Sequence, residues 1–344
     1  MRLLFAALFI TFDLIMLGAF VRVSDAGLGC PDWPGCYGKV TPFGAMDQIR
    51  VEAEARPDGP VTVFKAWVEM IHRYLATGVG VLILTLTAMS WVERRRAGGA
   101  SPVNPWWPTL TLFWVCVQGA FGALTVTMKL FPAIVTLHLL GGLALLSLLA
   151  MQAVRFQQAA GDRAPEPITP GLRRGLWLTA ALVVVQVTLG GWVSTNYAVL
   201  ACSDFPRCQG TWWPAMNFQQ GFEVWRALGH TGDGAPIDFA ALTAIHYVHR
   251  LAAYGVLAAM AALAWRLHRA GVLRAQARWI AGLAVWQLAT GLSNVMLDWP
   301  LVAAVAHTGG AAALVVVLTW ALSASRPAGS PVPAARVPSP GHPA

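Results

Sequence analysis

Two stretches of this chain place ionisable side chains inside apolar runs. "VEMIHRYLATGVG", 68–80, carries Glu69, His72 and Arg73, and "AIHYVHRLAAYGV", 244–256, repeats the His-Arg step with His246, His249 and Arg250. Two further histidines, His138 and His307, stand alone in apolar surroundings. Ionisable groups are costly in hydrocarbon and by default mark function. A single histidine in such a place is ordinarily a packing residue hydrogen-bonded to a neighbouring helix. Four of them, His72, His138, His249 and His307, point instead to a shared task. The donors on offer are nitrogen only, without thiolates or paired carboxylates beside each ring. That set suits the two axial positions of heme iron better than zinc or calcium. Glu69 precedes His72 by three positions on one helical face, where the second stretch has His246. It reads as an acid/base group beside the first heme, against the simpler reading of an ion pair with Arg73. Arg73 and Arg250 are candidates to neutralise heme propionates, a bidentate role suited to guanidinium, or to pair with nearby acids.

The elements that must position these groups are membrane helices. Over 344 residues, 56% are hydrophobic and only 12% charged, against roughly 25% charged in soluble domains. Eight apolar runs are long enough to cross a bilayer, at 3–23, 67–92, 106–128, 132–154, 174–195, 240–265, 278–297 and 301–323. The first, Leu3 to Val21, is longer than the apolar region of a signal peptide and is kept as a helix. With the N-terminus inside, fourteen Lys and Arg fall in inner segments and eight in outer ones, which puts both termini in the cytoplasm. Tryptophans gather at the predicted ends, as an interfacial belt requires. The net charge of +8 is then a topology signal. Anionic headgroups of the lipid bilayer account for it, and no nucleic acid partner is expected. In this frame the four histidines lie in the second, fourth, sixth and eighth runs, all in the outer leaflet. His72, His138 and His307 are roughly 8–11 Å from the outer end at 1.5 Å per residue.

The chain also repeats itself. "GAFVRVSDAGLGCPDWPGCYG" from Gly18 aligns with "GGWVSTNYAVLACSDFPRCQG" from Gly190 at an offset of 172, sharing C-x-D-[WF]-P-x-C-x-G. At an offset of 169, Gln118, Gly122, His138 and Gly141 pair with Gln287, Gly291, His307 and Gly310. The expected fold class is therefore all-α: a polytopic membrane protein of eight transmembrane helices as two parallel four-helix repeats. The halves are 1–157 and 172–325, followed by a disordered cytoplasmic tail at 326–344. Duplication pairs His72 with His138 and His249 with His307, one heme site per half. Cys30, Cys36, Cys202 and Cys208 fall in two long outer loops and read as disulfides Cys30–Cys36 and Cys202–Cys208. The rival, one metal site using all four, has to accept a C-x5-C spacing wider than zinc usually takes. Cys116 reads as packing. Gly141, Gly142, Gly309 and Gly310 would let a flat macrocycle approach the backbone, and "FQQGFEVWRALG" has the spacing of a helix lying on the membrane surface.

E-x-x-H-R ("EMIHR"), H-x-x-H-R ("HYVHR"), the single histidines of the fourth and eighth runs, the two C-x5-C loops and the duplicated frame together span about 10–312. In these features the chain resembles the heme A synthase family. The resemblance implies a membrane-bound oxidoreductase that oxidises the C8 methyl of heme O to a formyl group through successive hydroxylations, for heme-copper oxidase assembly. It implies a heme b cofactor on His249 and His307. The substrate heme O would lie on His72 and His138, with Glu69 at its reacting edge, and Cys30 and Cys36 are associated with heme handling. His246 is outside the four expected ligands and is read as a group behind them. The expected setting is a bacterial inner (cytoplasmic) membrane with the cysteine loops periplasmic. Heme O synthase is the expected supplier, the electron acceptor is not identified by sequence, and a homo-oligomer is compatible with it. Two rival functions are a bis-His diheme b-type cytochrome that only transfers electrons and a heme transporter. Histidines confined to one leaflet argue against the first, and the lack of proline inside the runs against the second.

Overall fold

The computed structural model describes residues 1–98, 104–161 and 164–328. Its helices are α1 (Arg2–Val23), α2 (Met46–Ala55), α3 (Val63–Arg96), α4 (Trp106–Thr127), α5 (Pro132–Ala159), α6 (Pro170–Thr195), α7 (Phe218–Gly221), α8 (Phe239–Ala270), α9 (Arg274–Met296) and α10 (Leu301–Ser323). Two short strands, β1 (Glu166–Ile168) and β2 (Ser325–Pro327), complete it. A backbone in hydrocarbon must satisfy its own hydrogen bonds, and the apolar runs do so as helices. Seven of them, α1, α3, α4, α5, α6, α8 and α10, are long and apolar enough to cross a membrane. The eighth long helix, α9, has 23 residues, but Gln276, Arg278, Gln287 and Asn294 dilute its apolar run.

Local chemistry sets the helix ends. Thr62 caps α3 by accepting from the Lys65 N–H, and Thr169 caps α6 by accepting from Leu172. Pro132 and Pro170 open α5 and α6, where the missing N–H costs nothing. Gly271, at φ 71°, ends α8 in the left-handed conformation.

The first four long helices pack together through α1–α3, α3–α4, α4–α5 and α1–α5, and the last four through α6–α8, α8–α9, α9–α10 and α6–α10. The seam between these groups is α1–α10, α5–α10 and α5–α6. Separate apolar cores fill each group, one around Ile83, Leu145 and Leu149 and one around Leu176, Met260 and Leu267. Leu143, Leu146 and Ala312 fill the seam. Large apolar side chains such as Phe9, Val81, Phe113 and Val285 point outward, a liability in water but not in lipid. Cys116, expected to pack, is exposed on α4.

Residues 325–327 differ from expectation. Where a tail was predicted from 326, β2 pairs in parallel with β1, Glu166 facing Ser325, and the Ala328 N–H donates to Ile168 O at 2.9 Å. The 166–168 segment offers a strand edge that the composition of the tail does not reveal. The rest of the predicted tail lies outside the described residues.

Both disulfides are formed, Cys30–Cys36 and Cys202–Cys208, with Cα atoms 4.9 and 4.8 Å apart. The shared motif explains itself locally. Its aspartate accepts two backbone N–H groups across the loop: Asp32 from Tyr37 and Gly38 at 2.6 and 2.7 Å, Asp204 from Gln209 and Gly210 at 2.6 and 3.0 Å. Its final glycine, Gly38 or Gly210, has φ of 69° or 73°, which a side chain would strain. The Gly210 N–H foremost, with Gln209, holds the exposed Asp204 carboxyl below its ordinary 3.8. A depressed folded value stabilises the loop above the unfolded value and is lost as pH falls through the folded one. We expect the loop to loosen only below pH 3.8, as read by the fluorescence of the neighbouring Trp212 and Trp213, and Asp204→Asn to abolish that step.

The long loops contain more structure than their sequence suggests. In the first, α2 buries Ile49 against Cys30, Cys36, Ala66 and Met70. In the second, only Phe218–Gly221 of the expected amphipathic helix is helical. Beyond it the chain turns onto α6: Trp192 Nε1–H donates to Gly221 O at 2.8 Å, and the buried Arg226 donates to Asn196 Oδ1 at 2.6 Å. These fixed partners outweigh a lipid-facing helix.

Candidate functional site

The four histidines come from α3, α5, α8 and α10, and each ring leans on a glycine of an adjacent helix. A Cβ on Gly18 of α1 would stand 3.2 Å from His72 Cε1, and one on Gly122 of α4 3.5 Å from His138 Cε1. On Gly190 of α6 it would stand 2.9 Å from His249 Cε1, and on Gly291 of α9 3.3 Å from His307 Cε1. These glycines are the ones that match at offsets 172 and 169, so the signal was present in the sequence as alignment anchors. The glycines predicted to line a macrocycle serve helix contacts instead. Gly141 and Gly310 make room for Gln118 and Trp286, and Gly309 for Met16 of α1.

His72 lies within electrostatic reach of His138, and His249 of both His307 and His246. All four residues are half-buried, so each keeps an accessible part. The Nδ1 atoms of His72 and His138 are buried and have no hydrogen-bond partner. In the other pair, the Gln186 amide nitrogen is 3.1 Å from His249 Nδ1, and Thr290 Oγ1 is 2.9 Å from His307 Nδ1. Among the described residues no group of three or more His, Cys, Asp or Glu converges as a metal-ion site. Paired imidazoles suit an iron that already has four equatorial donors and lacks two axial ones. The residues present fit a heme in each pair.

Glu69, 4% exposed, is bound at both oxygens. Arg73 Nη2 donates to Oε1 at 2.5 Å and the Cys30 N–H to Oε2 at 2.8 Å. Arg73 Nη1 donates to the carbonyls of Asp32, Pro34 and Gly35 at 2.8, 3.2 and 2.6 Å. The first disulfide loop is thus seated on α3 beside His72. Gly29 permits the seating, since a Cβ there would stand 2.5 Å from the Lys65 backbone. The second loop sits the same way on α8. Arg250 Nη1 donates to Asp204 O at 2.7 Å and Arg207 O at 3.1 Å, and Nη2 to Cys202 O at 2.5 Å. His246 takes the place of Glu69 as the arginine's partner, its Nε2 accepting from Arg250 Nε at 3.2 Å. Of the two roles expected for the arginines, pairing with an acid occurs at Arg73, and most donors of both go to loop carbonyls. Sequence reasoning did not anticipate that clamp, which depends on the loop folding back over its own helix.

The chain is 37% identical to the heme A synthase of Shewanella oneidensis over 92% of its length and 93% of that protein's. It is 30% identical to the heme A synthase of Methylobacterium nodulans, covering 86% and 83% of the two chains. To that of Rhizorhabdus wittichii it is 26% identical, covering 91% and 90%. The family model COX15-CtaA, described as cytochrome oxidase assembly protein, matches residues 1–319, and with nearly the whole sequence covered the chain belongs to the COX15-CtaA family.

Proposed function

We propose that this membrane oxidoreductase is a heme A synthase, which oxidises the C8 methyl of heme O to a formyl group for heme-copper oxidase assembly. The observation that carries the reading is the two pairs of half-buried imidazoles, each ring backed by a glycine. His72 and His138 hold the substrate heme, and His249 and His307 hold heme b. The supporting frame is eight spans in two parallel repeats, 1–157 and 172–325, with α9 as the seventh span. Charge asymmetry puts both termini on the cytoplasmic side of a bacterial inner membrane and the disulfide loops in the periplasm.

When bound, heme b supplies one-electron redox chemistry at the second pair. The chain's own residues do the rest. His72 and His138 fix the substrate ring through its iron and so orient its periphery against α3 and α5. With water as the source of the oxygen atom, each two-electron step from methyl through hydroxymethyl to formyl releases two protons, and Glu69, on the same face of α3 as His72, accepts one of them. Arg73 holds the carboxylate in place and closes the disulfide loop over this end of the helix. Heme O arrives from a heme O synthase in the same membrane, and electrons leave to a separate acceptor.

Pigment extraction from the purified protein tests this. Chromatography is expected to show heme B together with heme O or heme A, and cells carrying the protein gain heme A. Heme B alone, with an unchanged cellular heme content, would make the protein an electron carrier instead.

A further inference from the structure

The two histidine pairs differ in what stands behind them. We propose that Thr290 and Gln186 are positioning residues that make His307 and His249 standing ligands, while the apolar residues at the corresponding places leave His72 and His138 free to exchange what they bind. This rests on the heme reading above and deepens it.

Thr290 can set the tautomer of His307. Its hydroxyl donates to Trp286 O at 2.8 Å while Oγ1 lies 2.9 Å from His307 Nδ1. A hydroxyl has one hydrogen. With that hydrogen on the Trp286 carbonyl, Oγ1 can only accept, so His307 Nδ1 carries the proton and Nε2 presents its lone pair. Such a bond behind a ligating imidazole fixes the ring and raises its basicity.

Gln186 acts on His249. Its amide nitrogen is 3.1 Å from Nδ1 and 3.4 Å from Nε2, and donates to His249 O at 3.2 Å. Its Oε1 is buried without a partner, and a buried acceptor left unmade is costly. Turning the amide over would give that oxygen to an Nδ1–H, the form the ring takes when Nε2 binds iron, in exchange for the bond to His249 O.

At offsets of 172 and 169 the first half has Leu14 where the second has Gln186, and Phe121 where it has Thr290. Neither side chain can form a hydrogen bond. The matching Nδ1 atoms of His72 and His138 have no partner, so packing alone holds those rings. One pair has polar side chains standing behind its Nδ1 atoms before iron arrives, and the other has none. A resident heme and a transient one require that difference.

The test uses the heme-loaded, detergent-purified protein and an excess of apomyoglobin as heme scavenger, followed at the Soret band. Wild type is expected to release heme in a fast and a slow phase. Thr290→Val and Gln186→Leu should each speed the slow phase about tenfold or more, raise the reduction potential of that heme, and leave the fast phase unchanged. Thr290→Ser should restore both rate and potential, which a general loss of packing would not allow. Unchanged slow release and potential in both variants would overturn the hydrogen-bond assignment while leaving the heme reading intact. A fast phase accelerated in place of the slow one would overturn the division between the pairs. A wild-type protein without a Soret band would overturn the heme reading itself, and this inference with it.

Discussion

Glu69→Gln is expected to keep both hemes bound and to lower heme A output by about 100-fold or more, the usual contribution of a positioned acid/base group. Glutamine has nearly the shape of glutamate, and its carbonyl can still accept from the Cys30 N–H that Glu69 Oε2 now holds. What it cannot do is take up a proton or balance Arg73. The structure also gives Glu69 a second duty, since it joins the Arg73 clamp to the disulfide loop. Glu69→Ala separates the two duties. Truncation leaves the half-buried Arg73 without its counter-ion, at no more than about 3 kcal/mol, and should expose the Cys30–Cys36 bond to reductant. If heme A is lost in Glu69→Gln while the disulfide stays protected and the spectrum stays intact, the carboxylate takes part in the chemistry. Heme A output unchanged from wild type removes Glu69 from the reaction and leaves it as a brace.

His249→Ala and His307→Ala are expected to abolish retention of heme B, with heme A output falling below detection. His72→Ala and His138→Ala should show the reverse pattern, keeping heme B and losing heme O and heme A. Each pair acts as a unit, because an iron held by one imidazole alone is exchangeable. The variants should still fold. The apolar cores around Ile83 and Leu149 and around Met260 and Leu267 include none of the four histidines. Pyridine hemochrome spectra of the purified variants, with chromatography of the extracted pigments, read the result. Heme B loss in all four variants alike would contradict separate sites and favour one shared binding region.

The reading from sequence was strongest where the solvent imposes the answer. Runs such as 132–154 became helices because hydrocarbon leaves the backbone no other partner. The disulfide pairs followed from a motif whose aspartate and glycine build the same loop twice. Legibility failed where a segment's partners lie elsewhere in the fold. α2, the turn of 218–221 onto α6 and the β1–β2 pair all depend on surfaces that their own residues do not announce.

By itself, then, the sequence determined the long apolar helices, the repeated motifs, the cysteine pairs and the types and spacing of the candidate ligands. These are local or periodic properties of the chain. Tertiary structure alone decided which glycine backs each imidazole, where Arg73 and Arg250 donate, and which Nδ1 atoms find a partner. Those depend on how each helix is rotated about its axis against its neighbours. Helices such as α1 and α10, whose few polar residues form no stripe, do not reveal that rotation, so it is set only when the whole bundle packs.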